Sequence, residues 1–201
     1  MYVLTFLCYI RKRKQQLTTK EMANTVEQFQ HITSICRELF VKKLKDYGAS
    51  WRIMRPTSIT DQIFIKAKRI RSVEICGEAL VDEDIRSGYI AIVNYGIIAL
   101  IQLELGHSDK EDITAEKAIE LYDKYLTETT TLMLAKNHDY GEAWRSMRIS
   151  SYTDIILTKL NRTKQIEDNQ GKTLVSEGVD ANYMDMINYS IFALIKLEYG
   201  E

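Results

Sequence analysis

Two arginines three residues apart, Arg52 and Arg55, stand just before the signals of a helix start, and the pair returns as Arg145 and Arg148. Guanidinium forks grip phosphate oxygens two at a time, and the first amides of a following helix add partial positive charge. The spacing therefore reads as an anion-binding arrangement, with salt bridging to the other half of the chain as the competing reading. Lys66 with Arg69, and Lys159 with Arg162, repeat a cationic step of three further on. They either neutralise nearby carboxylates or reach a polyphosphate. Four acids, Glu74, Glu83, Glu167 and Glu177, also recur in pairs. With a helix starting near Glu177, the residues Glu177, Asp185 and Asn188 fall within about 80° of one another at 100° per residue. Joined by Glu167, such a set suits Mg²⁺, a hard cation held by one or two carboxylates plus substrate phosphates. A solvated acidic face is the alternative. Ala91 stands where the first half should repeat Asp185, so the second half reads as metal-competent and the first as partly lost. Asp185→Ala is then expected to shift stability by no more than about 1 kcal/mol, as for a residue outside the core. No catalytic residue is assigned. His31, His107 and His138 share no positions between the halves and read as surface or loop histidines.

These residues sit in a duplicated framework. Asp46 to Glu74 matches Asp139 to Glu167 at 14 of 29 positions, and after a one-residue insertion Tyr89 to Gly106 matches Tyr183 to Gly200 at 10 of 18. A solenoid repeat runs roughly 20 to 50 residues; this spacing is longer and marks a duplicated half-domain. The sharpest shared segment is a loop: Asp46, Tyr47, Gly48 and Trp51, echoed by Asp139, Tyr140, Gly141 and Trp144. Glycine there suits a helix end that needs positive φ, and the tryptophan three residues on can dock the loop on the core. Asp46 and Asp139 then only hold the loop.

The elements that must position these groups are helices. There is one proline, Pro56, with nine glycines and no sustained alternation of apolar and polar residues, which argues against sheets. Val26, Phe29, Ile32, Cys36 and Phe40 recur at three- and four-residue steps and mark a first helix from about Thr25 to Leu44, with a counterpart from about Ala115 to Lys136. Ser58 with Asp61, and Ser151 with Asp154, form capping-box-like starts for the second helices. Apolar faces on Tyr89 to Ile101 and Tyr183 to Ile195 mark the third, stopped by Gly106 and Gly200. The expectation is an all-α bundle of six main helices, two tandem three-helix repeats related by a pseudo-twofold axis. Residues 22–106 and 115–201 form the repeats, and 107–114 is the linker. Residues 1–21 read as an extension ahead of a natural start at Met22, since ten apolar residues followed by four cations neither span a bilayer nor order their charges as a signal peptide does.

Composition narrows the setting. With 45 % hydrophobic residues, 27 % charged and a formal net charge of −1, the chain lacks the basic field that non-specific nucleic-acid binding needs. No membrane partner is expected either, and a homo-oligomer is compatible with the pattern. Three cysteines, Cys8, Cys36 and Cys76, share no metal-ligand spacing and fit a reducing cytoplasm.

Taken together, Lys43 to Gly48, the segment Ser58 to Arg71, and Asn94-Tyr95 followed by Ala99 to Ile101 resemble a bacterial family of unknown function, the nucleotide modification associated domain type 1, over Thr25 to Glu201 in both copies. That resemblance implies a link to nucleotide metabolism. Its Asp-Tyr-Gly segment (Asp139 to Gly141), its cationic helix (Lys159, Arg162) and its Asp-x-x-Asn-Tyr segment (Asp185 to Tyr189) are similar in style to the all-α nucleoside triphosphate pyrophosphohydrolases of the MazG type. The Glu-Glu-x-x-Glu run of those enzymes is missing here. Two functions stay open: a Mg²⁺-dependent hydrolase that splits a nucleoside triphosphate between its α and β phosphates, and a non-catalytic nucleotide-binding or assembly module.

Overall fold

Neither glycine nor proline occurs before Gly48, so nothing in the first 47 residues stops a helix once it has started. In the computed structural model, which describes the backbone of residues 2–79 and 83–200 and the side chains of 24–79 and 83–200, α1 runs unbroken over Tyr2–Tyr47. It is much longer than the helix expected from apolar periodicity, which began at about Thr25, because no glycine or proline interrupts the chain ahead of that point. The expected start at Met22 concerns side chains outside the described residues. The remaining helices are α2 (Pro56–Cys76), α3 (Ile85–Leu105), α4 (Ala115–Tyr140), α5 (Ile149–Asp168) and α6 (Val179–Tyr199). Single 3-10 turns, Ser50–Ile53 and Ala143–Ser146, lead into α2 and α5. No strand occurs among the described residues, and the fold is the expected all-α bundle of two tandem copies.

The second helices start earlier than the capping-box reading placed them. Pro56 and Ile149 open α2 and α5, and the N-cap residues Arg55 and Arg148 make no side-chain cap bond. Proline's fixed φ and missing N–H suit a first helical position, so α2 needs no box. Asp61 and Asp154 are instead spent between the copies: Asp61 pairs with Lys164 at 2.5 Å and Asp154 with Arg71 at 3.7 Å. Both pairs are well exposed and worth little. They do fix the geometry, because the start of each helix meets the end of the other. Helices α2 and α5 are therefore antiparallel.

The centre of the bundle is the pair α3 and α6. Ile92, Val93, Ile97 and Ile101 on one, and Tyr183, Met186, Ile187, Ile191 and Ile195 on the other, have no exposed surface. Helix α3 is long and apolar enough by composition to cross a membrane, yet most of it is buried in the bundle, as an all-round apolar core helix should be. Gly96 lets the two central helices close up, since a Cβ there would stand 2.6 Å from Ile187 Cγ1. Helices α2 and α5 flank this pair, while α1 and α4 cover it and touch each other.

Polar seams cross the pseudo-twofold. On α5, the Thr153 hydroxyl donates to Glu74 of α2 at 2.8 Å and lies 2.6 Å from the Tyr89 hydroxyl of α3. The mirror set joins Thr60 of α2, Glu167 of α5 and Tyr183 of α6, with 2.6 Å for both hydroxyl contacts of Thr60. Each glutamate is thus kept in both copies as a clasp between them. Burial pushes both carboxyls above the ordinary value of 4.5, partly offset by their hydrogen bonds. A carboxyl raised in this way favours folding most when protonated, so its contribution is present below the unfolded value and is lost as pH climbs through the folded one. A Glu74→Gln/Glu167→Gln protein removes that dependence while keeping an acceptor for each threonine. Its Tm relative to wild type should rise as pH climbs above the ordinary carboxyl value of 4.5 and level off once both raised carboxyls have ionised; a difference that does not change with pH contradicts the assignment.

Candidate functional site

Each copy builds its loop the same way. Gly48 ends α1 at φ 66° and Gly141 ends α4 at φ 57°, and Trp51 and Trp144 are buried behind them. A residue of the third helix clamps each turn from within: Gln102 Nε2 donates to Met54 O at 2.6 Å and Arg52 O at 3.1 Å, and Lys196 Nζ donates to Arg145 O at 2.6 Å. Asp46 and Asp139 stay at the surface.

The first arginine of each pair belongs to this scaffold. Arg52, 2 % exposed, forks onto Asp112 of the linker at 2.7 and 3.0 Å and donates to Gly106 O at 2.6 Å and to Gln102 Oε1. Arg145 lies over the Trp144 ring at 4.3 Å and holds buried Glu142 at 2.9 Å, with Thr25 and Gln28 of α1 at 2.7 and 2.8 Å. Their guanidinium groups face protein acceptors, but the ion pairs are with Asp112 of the linker and Glu142 of the same copy, and only the hydrogen bonds of Arg145 to Thr25 and Gln28 reach the other half. Arg55, Arg148 and Arg162 are exposed, and no ion pair holds any of them among the described residues.

Beside each tryptophan lies a pocket. The second copy's has a volume of about 220 Å³ and is lined by Met133, Lys136, Asn137, Tyr140, Trp144, Met147, Asp185, Asn188, Tyr189 and Phe192, among others. One wall is aromatic, with Trp144 stacked on Phe192 at 4.4 Å and 7° and Tyr189 edge-on to Phe192. The polar side is a carboxylate between two ammonium groups. Asp185, 5 % exposed, takes Lys136 at 2.6 Å on one oxygen and Lys159 at 2.5 Å on the other. Burial works against charge on Lys136, but the hydrogen bond and charge of Asp185, helped by Glu177, outweigh it and hold the ammonium above its ordinary value. Asn188 donates to Thr129 O at 3.2 Å, and its Oδ1 has no partner. The first copy's pocket, about 310 Å³, is its counterpart, with Lys43, Tyr47, Trp51, Ala91, Asn94 and Tyr95 at the matching places.

The proposed Mg²⁺ ligands do not converge. Among the described residues no three His, Cys, Asp or Glu side chains are grouped to hold a metal ion. Glu167 is taken up by Thr60 and Tyr183 between the copies. Glu177 is exposed and lies before α6, which starts at Val179, so helical spacing does not align it with Asp185. Each Asp185 oxygen faces an ammonium, a surrounding that disfavours a second cation. The residues present do not fit the ion as one set.

In the first copy the acid moves. With Ala91 in place of Asp185, Lys66 and Arg69 turn to Glu83, at 3.4 and 3.6 Å. Lys159, by contrast, is drawn to Asp185, and Arg162 stays exposed. Sequence reasoning missed Lys136, the pocket's second cation. The signal was present: Lys43 and Lys136 are an identical pair three residues before Asp46 and Asp139, just upstream of the aligned block.

A family model described as nucleotide modification associated domain 1 matches residues 43–103 and 136–197, so each match opens on that lysine. No curated protein matches the chain, and no solved structure does.

Proposed function

The chain belongs to the nucleotide modification associated domain 1 family, and on that premise we propose that the pocket of its second copy binds a nucleotide without hydrolysing it. The observation that supports this reading most is the division of the pocket into an aromatic wall, Trp144 with Phe192 and Tyr189, and a charged side, Lys136–Asp185–Lys159. Phe192 and Arg145 cover the two faces of Trp144, so the rings left for a base are Tyr189 and the exposed Tyr140. A base stacked on an aromatic side chain gains about 1–3 kcal/mol. Asp185 supplies an acceptor for a base N–H or a ribose hydroxyl. Lys136, whose side chain is 41 % exposed, is the cation that can turn from Asp185 to a phosphate. The hydrolase reading rested on Glu167, Glu177, Asp185 and Asn188 acting as one ligand set, which these side chains do not form, and the binding reading needs no such set.

Thermal shift with a panel of nucleoside mono- and triphosphates and Mg²⁺, run beside an assay for released pyrophosphate, separates the functions. A ligand at a hundred times its Kd stabilises by about 2.7 kcal/mol, which shifts the Tm of a chain this size by roughly 5–10 °C. The expected result is a shift of that order with no pyrophosphate. Pyrophosphate release returns the chain to the hydrolases. No shift with any nucleotide overturns the proposal.

A further inference from the structure

We infer that the pocket of the first copy is a second, independent site, which takes a planar ring carrying a phosphate. This rests on the nucleotide reading only for the class of its aromatic ligand.

Three differences between the pockets carry the inference. The first is size. Ala91 and Ile98 stand where the second copy has Asp185 and Phe192, and the pocket is about 310 Å³ against about 220 Å³. Room has been opened, and Trp51 and Tyr95 keep the aromatic wall. The second is charge. Asp185 answers Lys136 in the second pocket, whereas Lys43 is the sole charged residue lining the first, and no carboxylate among the described residues pairs with it. Glu111, whose carboxylate lies against Gly48, is not one of the lining residues. Lys66, counterpart of Lys159, has been drawn away to Glu83. What remains is an apolar, aromatic-walled cleft with one exposed ammonium at its edge. The third is preorganisation. Asn94 donates to Cys36 O at 3.1 Å and accepts from Tyr122 at 2.8 Å, while Asn188 Oδ1, its counterpart, has no partner. Asn94 is therefore satisfied by protein groups, and the donors left for a ligand in the first pocket are the buried, unpartnered Trp51 indole N–H and the exposed Lys43 ammonium.

A planar ring carrying a phosphate suits both the aromatic wall and the Lys43 ammonium. The ring is desolvated between Trp51 and Tyr95, and the phosphate forms a charge-assisted hydrogen bond with Lys43. Loss of Asp185's counterpart has thus not erased the site.

The chain has two tryptophans, one in each pocket, so each pocket has its own indole reporter. In a Trp144→Phe protein, adenosine monophosphate should quench the remaining Trp51 emission along a saturable curve. Both Lys43→Glu and Ala91→Asp, the second restoring the acid and refilling the space, should weaken that affinity by about tenfold or more, the scale of one charged hydrogen bond. Unsaturable or missing quenching overturns the inference, as does quenching that neither substitution changes. Should Trp144→Phe fail to fold, titration of the wild-type chain read from the Trp51 indole N–H resonance decides by the same criteria. A Trp51→Phe protein reports only the second pocket, so failure there counts against the proposed function and leaves this site standing.

Discussion

Arg52→Ala is expected to cost about 3–5 kcal/mol, the usual range for removing one partner of a buried ion pair. In a chain of this size that lowers Tm by roughly 10 °C or more. The residue is 2 % exposed, and its guanidinium holds Asp112 of the linker, the last carbonyl before the linker at Gly106 and the Gln102 side chain. Alanine would leave Gln102 Oε1 and Gly106 O without their donor inside the protein and untie the linker from the first loop. Arg52→Lys should recover only part of the loss, because one ammonium cannot form the two-pronged contact. Asp112→Asn, at a carboxylate that is about one third exposed, should cost far less. Urea unfolding of the three variants checks the order. A change below about 1 kcal/mol for Arg52→Ala would mean that the arginine is kept in both copies for some purpose other than holding this loop.

The second large effect is at Asp185. Read as a surface acid, it could be exchanged for the alanine of the first copy at little cost. It is in fact 5 % exposed and clasped by two lysines, so Asp185→Ala strands two cations beside an apolar pocket. Full burial would put the loss at about 3–5 kcal/mol. Lys136 can swing into water, so about 2 kcal/mol is expected. The first copy shows how the rest is relieved, because there Lys66 and Arg69 take Glu83. Glu177 is the matching acid and should catch Lys159 once Asp185 is gone. Glu177→Ala alone should then be nearly silent, while in the Asp185→Ala background it should add a further loss. A double-mutant cycle by chemical denaturation measures that coupling; strict additivity would show that the lysines find no second partner.

Much of the framework was legible in the sequence. The duplicated block, the single proline, the glycines at helix ends and the apolar faces of the third helices all constrain local backbone and burial, and the six helices follow from them. Less legible was what each repeated polar residue faces. Glu74 and Glu167 recur because each clasps a threonine of the other copy, and Asp61 and Asp154 recur because each meets a cation across the same axis. A repeat read from one chain does not distinguish a residue kept for a ligand from one kept for its own twin, since both are duplicated together. Arg52 and Arg145 show the same ambiguity. At the site, Asp185, Lys159 and Asn188 were picked out from their pattern. Lys136 was not, because its role depends on α4 passing beside α6, a long-range contact that periodicity does not encode.

The most direct test of the nucleotide reading is the indole N–H signal of Trp144, which lies in the wall of the pocket that also holds Asp185. In a titration of ¹⁵N-labelled protein with a nucleoside triphosphate, the account predicts that this resonance moves along a saturable curve, and that Asp185→Ala weakens the apparent affinity by at least about tenfold, the scale of one charged hydrogen bond. A Trp144 signal that stays fixed while nucleotide is added in excess would contradict it.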